Sequence, residues 1–312
     1  MNPSIKPRNI LQLSNDEKQA FIESFDLVIS DMDGVLWNEI NIIKNAANGL
    51  NLLKSQGKSV VYVTNNSVRS LKDFEILFKK SDIQAESKDI VNPLRSIIEY
   101  LKMIDFKEKI YCISNEPFKA SLREAGFDVI NDPSKILKES FKTLKEYIID
   151  DENPGAVIVD EDFNISGPKI MRAHQYLTKN SQCLYLTGAS DKKLTVGPGI
   201  NILGPGYFMD LLETSAKKRP IALGKPSRDL SDIVMKKFKI KNRDRVLMIG
   251  DMLEQDIGFG KNSGFQTLLV LTGGTKLKEL EDVKNNHLIP DFIADGMEDF
   301  VEFFRDFNKS KI

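Results

Sequence analysis

Leu27-Val28-Ile29-Ser30-Asp31-Met32-Asp33-Gly34-Val35-Leu36-Trp37 is the stretch on which the fold turns. An apolar run stops abruptly at two aspartates one residue apart, followed by a glycine. Short apolar, β-branched runs that end in polar punctuation read as buried strands. Further strand candidates follow at Val60–Val63, Ile110–Ile113, Ala156–Val159, Cys183–Leu186, Ile221–Leu223, Val246–Ile249 and Thr267–Leu271. Between the first two, Ile43, Ala46, Ala47, Leu50 and Leu53 recur at helical spacing and Gly57 closes the segment. After Pro226 a second helix pattern runs through Leu230, Ile233, Val234 and Phe238, with Ser227 or Asp229 as its cap. Strands alternating with helices predict an α/β fold: a doubly wound, mostly parallel, Rossmann-like sheet.

The chain has 312 residues, more than one core usually absorbs, so two domains are expected. Lys and Arg number 44 against 45 Asp and Glu, which leaves no basic footprint for nucleic acid or an anionic membrane. The short basic run Lys217-Lys218-Arg219 reads as a solvated loop. Cys112 and Cys183 each sit in an apolar run and read as buried free thiols in a reducing compartment. Met1–Ala20 lacks the apolar core of a signal peptide, and no apolar stretch approaches the ~20 residues of a membrane helix. A cytoplasmic location is the default expectation.

In open parallel sheets, ligands gather beyond the carboxyl ends of the strands. Four of these ends carry chemistry: Asp31-Met32-Asp33-Gly34, Thr64-Asn65-Asn66-Ser67, Gly224-Lys225-Pro226-Ser227, and Gly250-Asp251 with Asp256 five residues on. In extended chain, side chains two apart share a face, so the carboxylates of Asp31 and Asp33 are expected to point into one site. Two like charges so placed call for a cation or a shared proton. Oxygen ligands suit Mg²⁺, and Asp251 completes the set. Thr64, Asn65 and Asn66 offer donors for phosphoryl oxygens, and Lys225 a charge to neutralise a transferring group. Each cluster alone reads as turn or cap chemistry; their conjunction at successive strand ends reads as catalysis.

With those motifs the chain resembles the haloacid dehalogenase superfamily, and more narrowly its branch of p-nitrophenyl-phosphate, phosphoglycolate and pyridoxal-phosphate phosphatases. The resemblance spans nearly the whole chain, as far as Asp282–Asn286 and Pro290-Asp291-Phe292. It implies that Asp31 attacks phosphorus and forms an aspartyl-phosphate, while Asp33 protonates the leaving oxygen and later activates water. It implies Mg²⁺ held by Asp31, the backbone carbonyl of Asp33, and Asp251. Thr64, Asn65, Asn66 and Lys225 would bind phosphoryl oxygens, and Asp256 would support the metal shell or Lys225 from a second layer.

An aspartate at position 33 favours an ester phosphatase or phosphomutase over halide displacement. The interval from Asp33 to Thr64 is filled by one helix and one strand, whereas about half the chain lies between Asn66 and Lys225. That surplus is read as an α/β cap at 94–216, inserted in a catalytic core of 1–93 and 217–312. Caps restrict access to small phosphorylated metabolites, and the resemblance also allows a homodimer through the cap. Relatives tend to carry Thr-Asn before an Asp where this chain has Thr187-Gly188-Ala189-Ser190-Asp191, and Gly-Thr-Gly or Gly-Ala-Gly where it has Gly204-Pro205-Gly206. Many have Val-Gly before an Asp where it reads Val159-Asp160-Glu161-Asp162. These differences leave the ester unnamed. Trp37 is read as packing under a flap at the entrance or as plain core, and His174 and His287 as surface residues. The competing readings are a non-catalytic metabolite-binding protein of the same fold and a phosphoprotein phosphatase.

Overall fold

Leu27–Ser30 forms a strand, and it lies in the middle of a sheet. The computed structural model describes residues 6–39, 41–131, 137–150, 152–197 and 200–309, so the first five residues of the Met1–Ala20 reading lie outside it. In chain order come β1 (Arg8–Asn9), β2 (Leu27–Ser30), β3 (Trp37–Asn38), β4 (Asn41–Ile42), β5 (Ser59–Val63) and β6 (Ile90–Val91). They are followed by β7 (Ile110–Ile113), β8 (Ala156–Val159), β9 (Leu184–Thr187), β10 (Lys193–Gly197), β11 (Ile200–Leu203) and β12 (Ile221–Ala222). The last three are β13 (Val246–Gly250), β14 (Gln266–Val270) and β15 (Phe292–Ala294). The chain divides into two units: Met1–Thr64, Leu71–Val91 and Lys225–Ile312 form the first, and Asn65–Ser70 with Asn92–Gly224 the second.

The first unit holds a seven-stranded sheet in the order β1-β15-β14-β13-β2-β5-β6, with every neighbour parallel. Parallel strands covered on both faces need apolar residues at successive positions. Here Val28, Tyr62, Leu247, Ile249 and Leu268 enter one core with Phe21, Leu50 and Phe300. Ile29, Val61, Val63, Val246 and Met248 enter the opposite core with Leu230, Val234 and Phe259. That division is the doubly wound α/β arrangement. Chain order reverses at β2, which has β5 on one side and β13 on the other. The carboxyl ends of β2 and β13 therefore flank the switch point where such sheets bind ligands.

The second unit has its own parallel sheet, β12-β9-β8-β7, and an antiparallel β10–β11 pair. Its core gathers Tyr111, Val157, Tyr176, Tyr185 and Leu212. The reading of 217–312 as part of the catalytic core is corrected by β12, whose Ile221 and Ala222 pair with Leu186 and Thr187 of β9. The chain thus leaves the second unit at Gly224, and Asn65–Ser70 groups there too. A two-residue strand carries too little pattern to reveal its partner sheet. Cys112 and Cys183 are both buried and free, and no helix among the described residues is long and apolar enough to cross a membrane.

Helix Ala46–Ser55 carries a buried glycine at position 49, over Met297. A Cβ there would lie 2.0 Å from the carbonyl oxygen of Met297. Alanine is the better helix former by ~1 kcal/mol in an open helix interior, but overpacking against fixed backbone costs roughly 1–3 kcal/mol or more. Gly49→Ala is expected to destabilise the protein by about 2 kcal/mol in urea unfolding. Unchanged or higher stability would show that the helix is not seated this closely.

Candidate active site

Asp31 follows the last residue of β2, and its backbone N–H donates to Ile249 O of β13 at 2.9 Å. That pairing sets it beside Asp251, which follows the last residue of β13. After Asp251 the chain makes one π-helical turn, Leu253–Ile257, which folds Asp256 back beneath the strand end. Asp256 Oδ2 accepts from the backbone N–H groups of Asp251 and Met252 at 3.0 and 2.9 Å. Its Oδ1 accepts from Lys225 Nζ at 2.6 Å, and the same ammonium lies 2.8 Å from Asp31 Oδ1. Lys225 is only 2% exposed, so it is a buried cation clamped between two buried carboxylates.

Asp251 is held by close backbone. Its Oδ2 accepts from Gly274 N–H, and a Cβ at Gly34 or Gly273 would stand 2.3 or 2.0 Å from that oxygen. Gly34 also has φ +85°, a left-handed conformation that glycine adopts without strain. Thr272 Oγ1 donates to Gly34 O at 2.6 Å and ties this loop to the one after β14. Asp251 Oδ1 is buried and has no hydrogen-bond partner among the described residues.

One oxygen from each of Asp31, Asp251 and Asp256 lies within 4.8 Å of the others, a spacing that could hold a metal ion. Three buried carboxylates face one ammonium, and the imbalance shows in their acidities. Burial pushes Asp31 well above the usual carboxylate range; Lys225 opposes this, while Asp256 and Asp251 add to it. Burial and then Asp256 push Asp251 up to about 7. Burial works against the charge of Lys225, but Asp256 and Asp31 outweigh it and its pKa is raised. A divalent cation would supply the missing positive charge, and the all-oxygen donors suit a hard one. With both Asp256 oxygens already engaged, Asp31 and Asp251 remain as the side chains with room for it.

The carboxylate of Asp33 is not in this group. Alternation holds only while the chain stays extended, and β2 ends before Asp31. Asp33 instead opens a turn, and its Oδ1 accepts from Trp37 Nε1 at 3.2 Å. Thr64 is buried at the end of β5, its N–H donating to Val91 O at 3.0 Å. In the second unit, Asn65 Nδ2 donates to Asp191 Oδ2 at 2.9 Å. Asn66 Oδ1 accepts from the N–H groups of Val68 and Arg69, which is turn chemistry. The Trp37–Asp33 contact and the Gly273-Gly274 cradle were passed over in the sequence; the paired glycines after a strand were the available signal.

Two of the second unit's segments, Val159–Asp162 and Thr187–Asp191, meet at Asp160. Asp160 is fully buried and accepts from Ser67 Oγ and from the N–H groups of Glu161 and Ala189. A Cβ at Gly188 would sit 1.6 Å from Asp160 Oδ2, so the carboxylate fills the space a larger residue would need. Burial raises Asp160 to about 6, and burial with Asp160 raises Glu161 to about 7.

Comparison with known proteins places this geometry. A haloacid dehalogenase-like hydrolase model matches residues 28–128, and a HAD-hydrolase-like model matches residues 222–300. Phosphoglycolate phosphatase 2 of Arabidopsis thaliana is 32% identical over 296 residues, covering 93% of this chain and 97% of that protein. The chain belongs to the haloacid dehalogenase-like hydrolases. It is a phosphatase of that family, similar also to the 4-nitrophenylphosphatase of Schizosaccharomyces pombe at 28% identity over 294 residues, 93% of this chain and 97% of that one. The p-nitrophenyl phosphatase structure from Archaeoglobus fulgidus shares the fold with a TM-score of 0.75 at 22% identity, over 89% of this chain and 99% of that chain.

The raised pKa of Asp251 has a signed consequence. Between the ordinary aspartate value and about 7, the folded chain holds a proton there that the unfolded chain has lost. Stability from this group is therefore full below about pH 4 and is lost as pH rises through about 7, on the order of a few kcal/mol. The melting temperature of metal-free protein should fall between pH 5 and 8, and Asp251→Asn should flatten that fall. An equal slope in the variant would contradict the assignment.

Proposed function

We propose that this phosphatase hydrolyses small phosphate monoesters, with Mg²⁺ as cofactor, through a phosphoryl group carried on Asp31. The observation that carries the reading is the buried ion-paired cluster of Asp31, Lys225, Asp256 and Asp251 at the switch point of the sheet. Magnesium would be held by Asp31, the backbone carbonyl of Asp33 and Asp251, and when bound supplies charge that offsets repulsion between a carboxylate and a phosphate dianion.

The chain's own groups then divide the work. A carboxylate oxygen of Asp31 forms a bond to phosphorus as the ester P–O bond breaks. The carboxyl proton of Asp33 passes to the leaving oxygen, which departs as a neutral alcohol. Water then attacks the same phosphorus, Asp33 takes its proton, and inorganic phosphate leaves with the Asp31 carboxylate restored. Lys225, fixed by Asp256, neutralises charge on the phosphoryl oxygens, with Thr64 donating to them. Similar proteins are named for phosphoglycolate and 4-nitrophenyl phosphate, both small monoesters, so an ester of that class is proposed here.

Turnover of p-nitrophenyl phosphate with and without MgCl₂ tests this directly. Wild type should require Mg²⁺, and Asp31→Asn should lose at least about a thousandfold in kcat. MgCl₂ should also raise the melting temperature more at pH 8 than at pH 5, since Asp251 must shed its proton to bind. Metal-independent turnover, or turnover surviving in Asp31→Asn, would defeat the proposal.

A further inference from the structure

The loop after β14 contains Thr272-Gly273-Gly274-Thr275, and it meets the segment after β13 at three points. Gly274 N–H donates to Asp251 Oδ2, Thr275 N–H donates to Asp251 O at 3.0 Å, and Leu253 N–H donates to Thr275 Oγ1 at 3.3 Å. A fourth bond, from Thr272 Oγ1 to Gly34 O at 2.6 Å, ties the same loop to the turn that follows Asp31. A loop that only joined a strand to a helix would need none of these bonds.

Their effect falls unequally on the two oxygens of Asp251. Oδ2 is bonded to Gly274 and enclosed by bare backbone, since a Cβ at Gly34 or at Gly273 would collide with it. Oδ1 is buried and has no hydrogen-bond partner among the described residues. A buried carboxylate oxygen without a donor is costly unless a cation meets it. One oxygen is committed to the protein, and the other is left for a cation.

We infer that loop 272–275 positions Asp251 as a one-oxygen metal ligand and thereby favours Mg²⁺ over Ca²⁺. Mg²⁺ is small and holds near-octahedral geometry, whereas Ca²⁺ accepts more oxygens and often both from one carboxylate. Placing both Asp251 oxygens on one cation would break the Gly274 bond and push Oδ2 out of its glycine enclosure. The inference rests on the reading of Asp251 as a Mg²⁺ ligand. Gly273 and Gly274 are then positioning residues, each acting through Asp251.

Metal binding is read without substrate, from the melting temperature of the full chain titrated with MgCl₂ or CaCl₂. Wild type should respond to Mg²⁺ at a concentration at least about tenfold below that for Ca²⁺. Equal responses, no response to Mg²⁺, or a Mg²⁺ response that survives in Asp251→Asn overturn the inference. Gly274→Ala keeps the N–H, and its Cβ would meet the flexible Met252 side chain at 3.1 Å and Asp251 Oδ2 at 3.3 Å. That variant should keep the wild-type preference. Gly274→Pro removes the N–H and should weaken Mg²⁺ about tenfold while changing Ca²⁺ by less than about twofold. A merely structural loop would weaken both metals alike, and that result overturns the inference. Because Gly274→Pro can fail to fold, the comparison of the two metals on wild type is the second measurement and needs no loop variant. Should wild type bind Mg²⁺ and hydrolyse no monoester, the proposed function fails, and the titrations still decide the inference.

Discussion

Lys225 is buried between Asp31 and Asp256, and the rest of the site depends on that arrangement. A lysine 2% exposed has lost its water, and only tightly placed carboxylates keep it charged. Asp256 is in turn fixed by two backbone N–H groups, so the cation cannot drift with its partner. The cluster still carries more negative than positive charge. Burial turns that excess into raised carboxyl pKa values at Asp31 and Asp251, and into a demand for another cation. Stability and chemistry meet here: the arrangement that strains the metal-free fold is the one that would stabilise a phosphoryl group in transfer.

The sheet supplies the precision that this cluster needs. Asp31 and Asp251 follow the last residues of adjacent parallel strands, in a register that sets Ser30 opposite Ile249. Residues on the two strands alternate into separate cores, so a shift by one position would exchange both hydrophobic sets. Glycine at 34 and 273 lets two loops close on Asp251 without side chains in the way.

Much of this was legible in the sequence. The buried strands were long apolar runs, and the helix after Ser227 began where its cap was read, with Ser227 Oγ accepting from Asp229 N–H. The α/β class followed from that alternation. The short strands β1, β6 and β15 were not legible, because two or three residues cannot show a period. Trp37 was read as packing since an indole's acceptor depends on a turn geometry that sequence spacing does not display. The placement of Ile221–Ala222 was missed for the same reason as the edge strands.

The claim on which the account stands is that Asp31 carries the phosphoryl group. Acid quenching during turnover of p-nitrophenyl phosphate, followed by proteolysis and mass spectrometry, reads it directly. The account predicts a phosphoryl adduct on the peptide containing Asp31, absent from Asp31→Asn. Phosphate on His174, His287 or any other residue, with the Asp31 peptide unmodified, would contradict it.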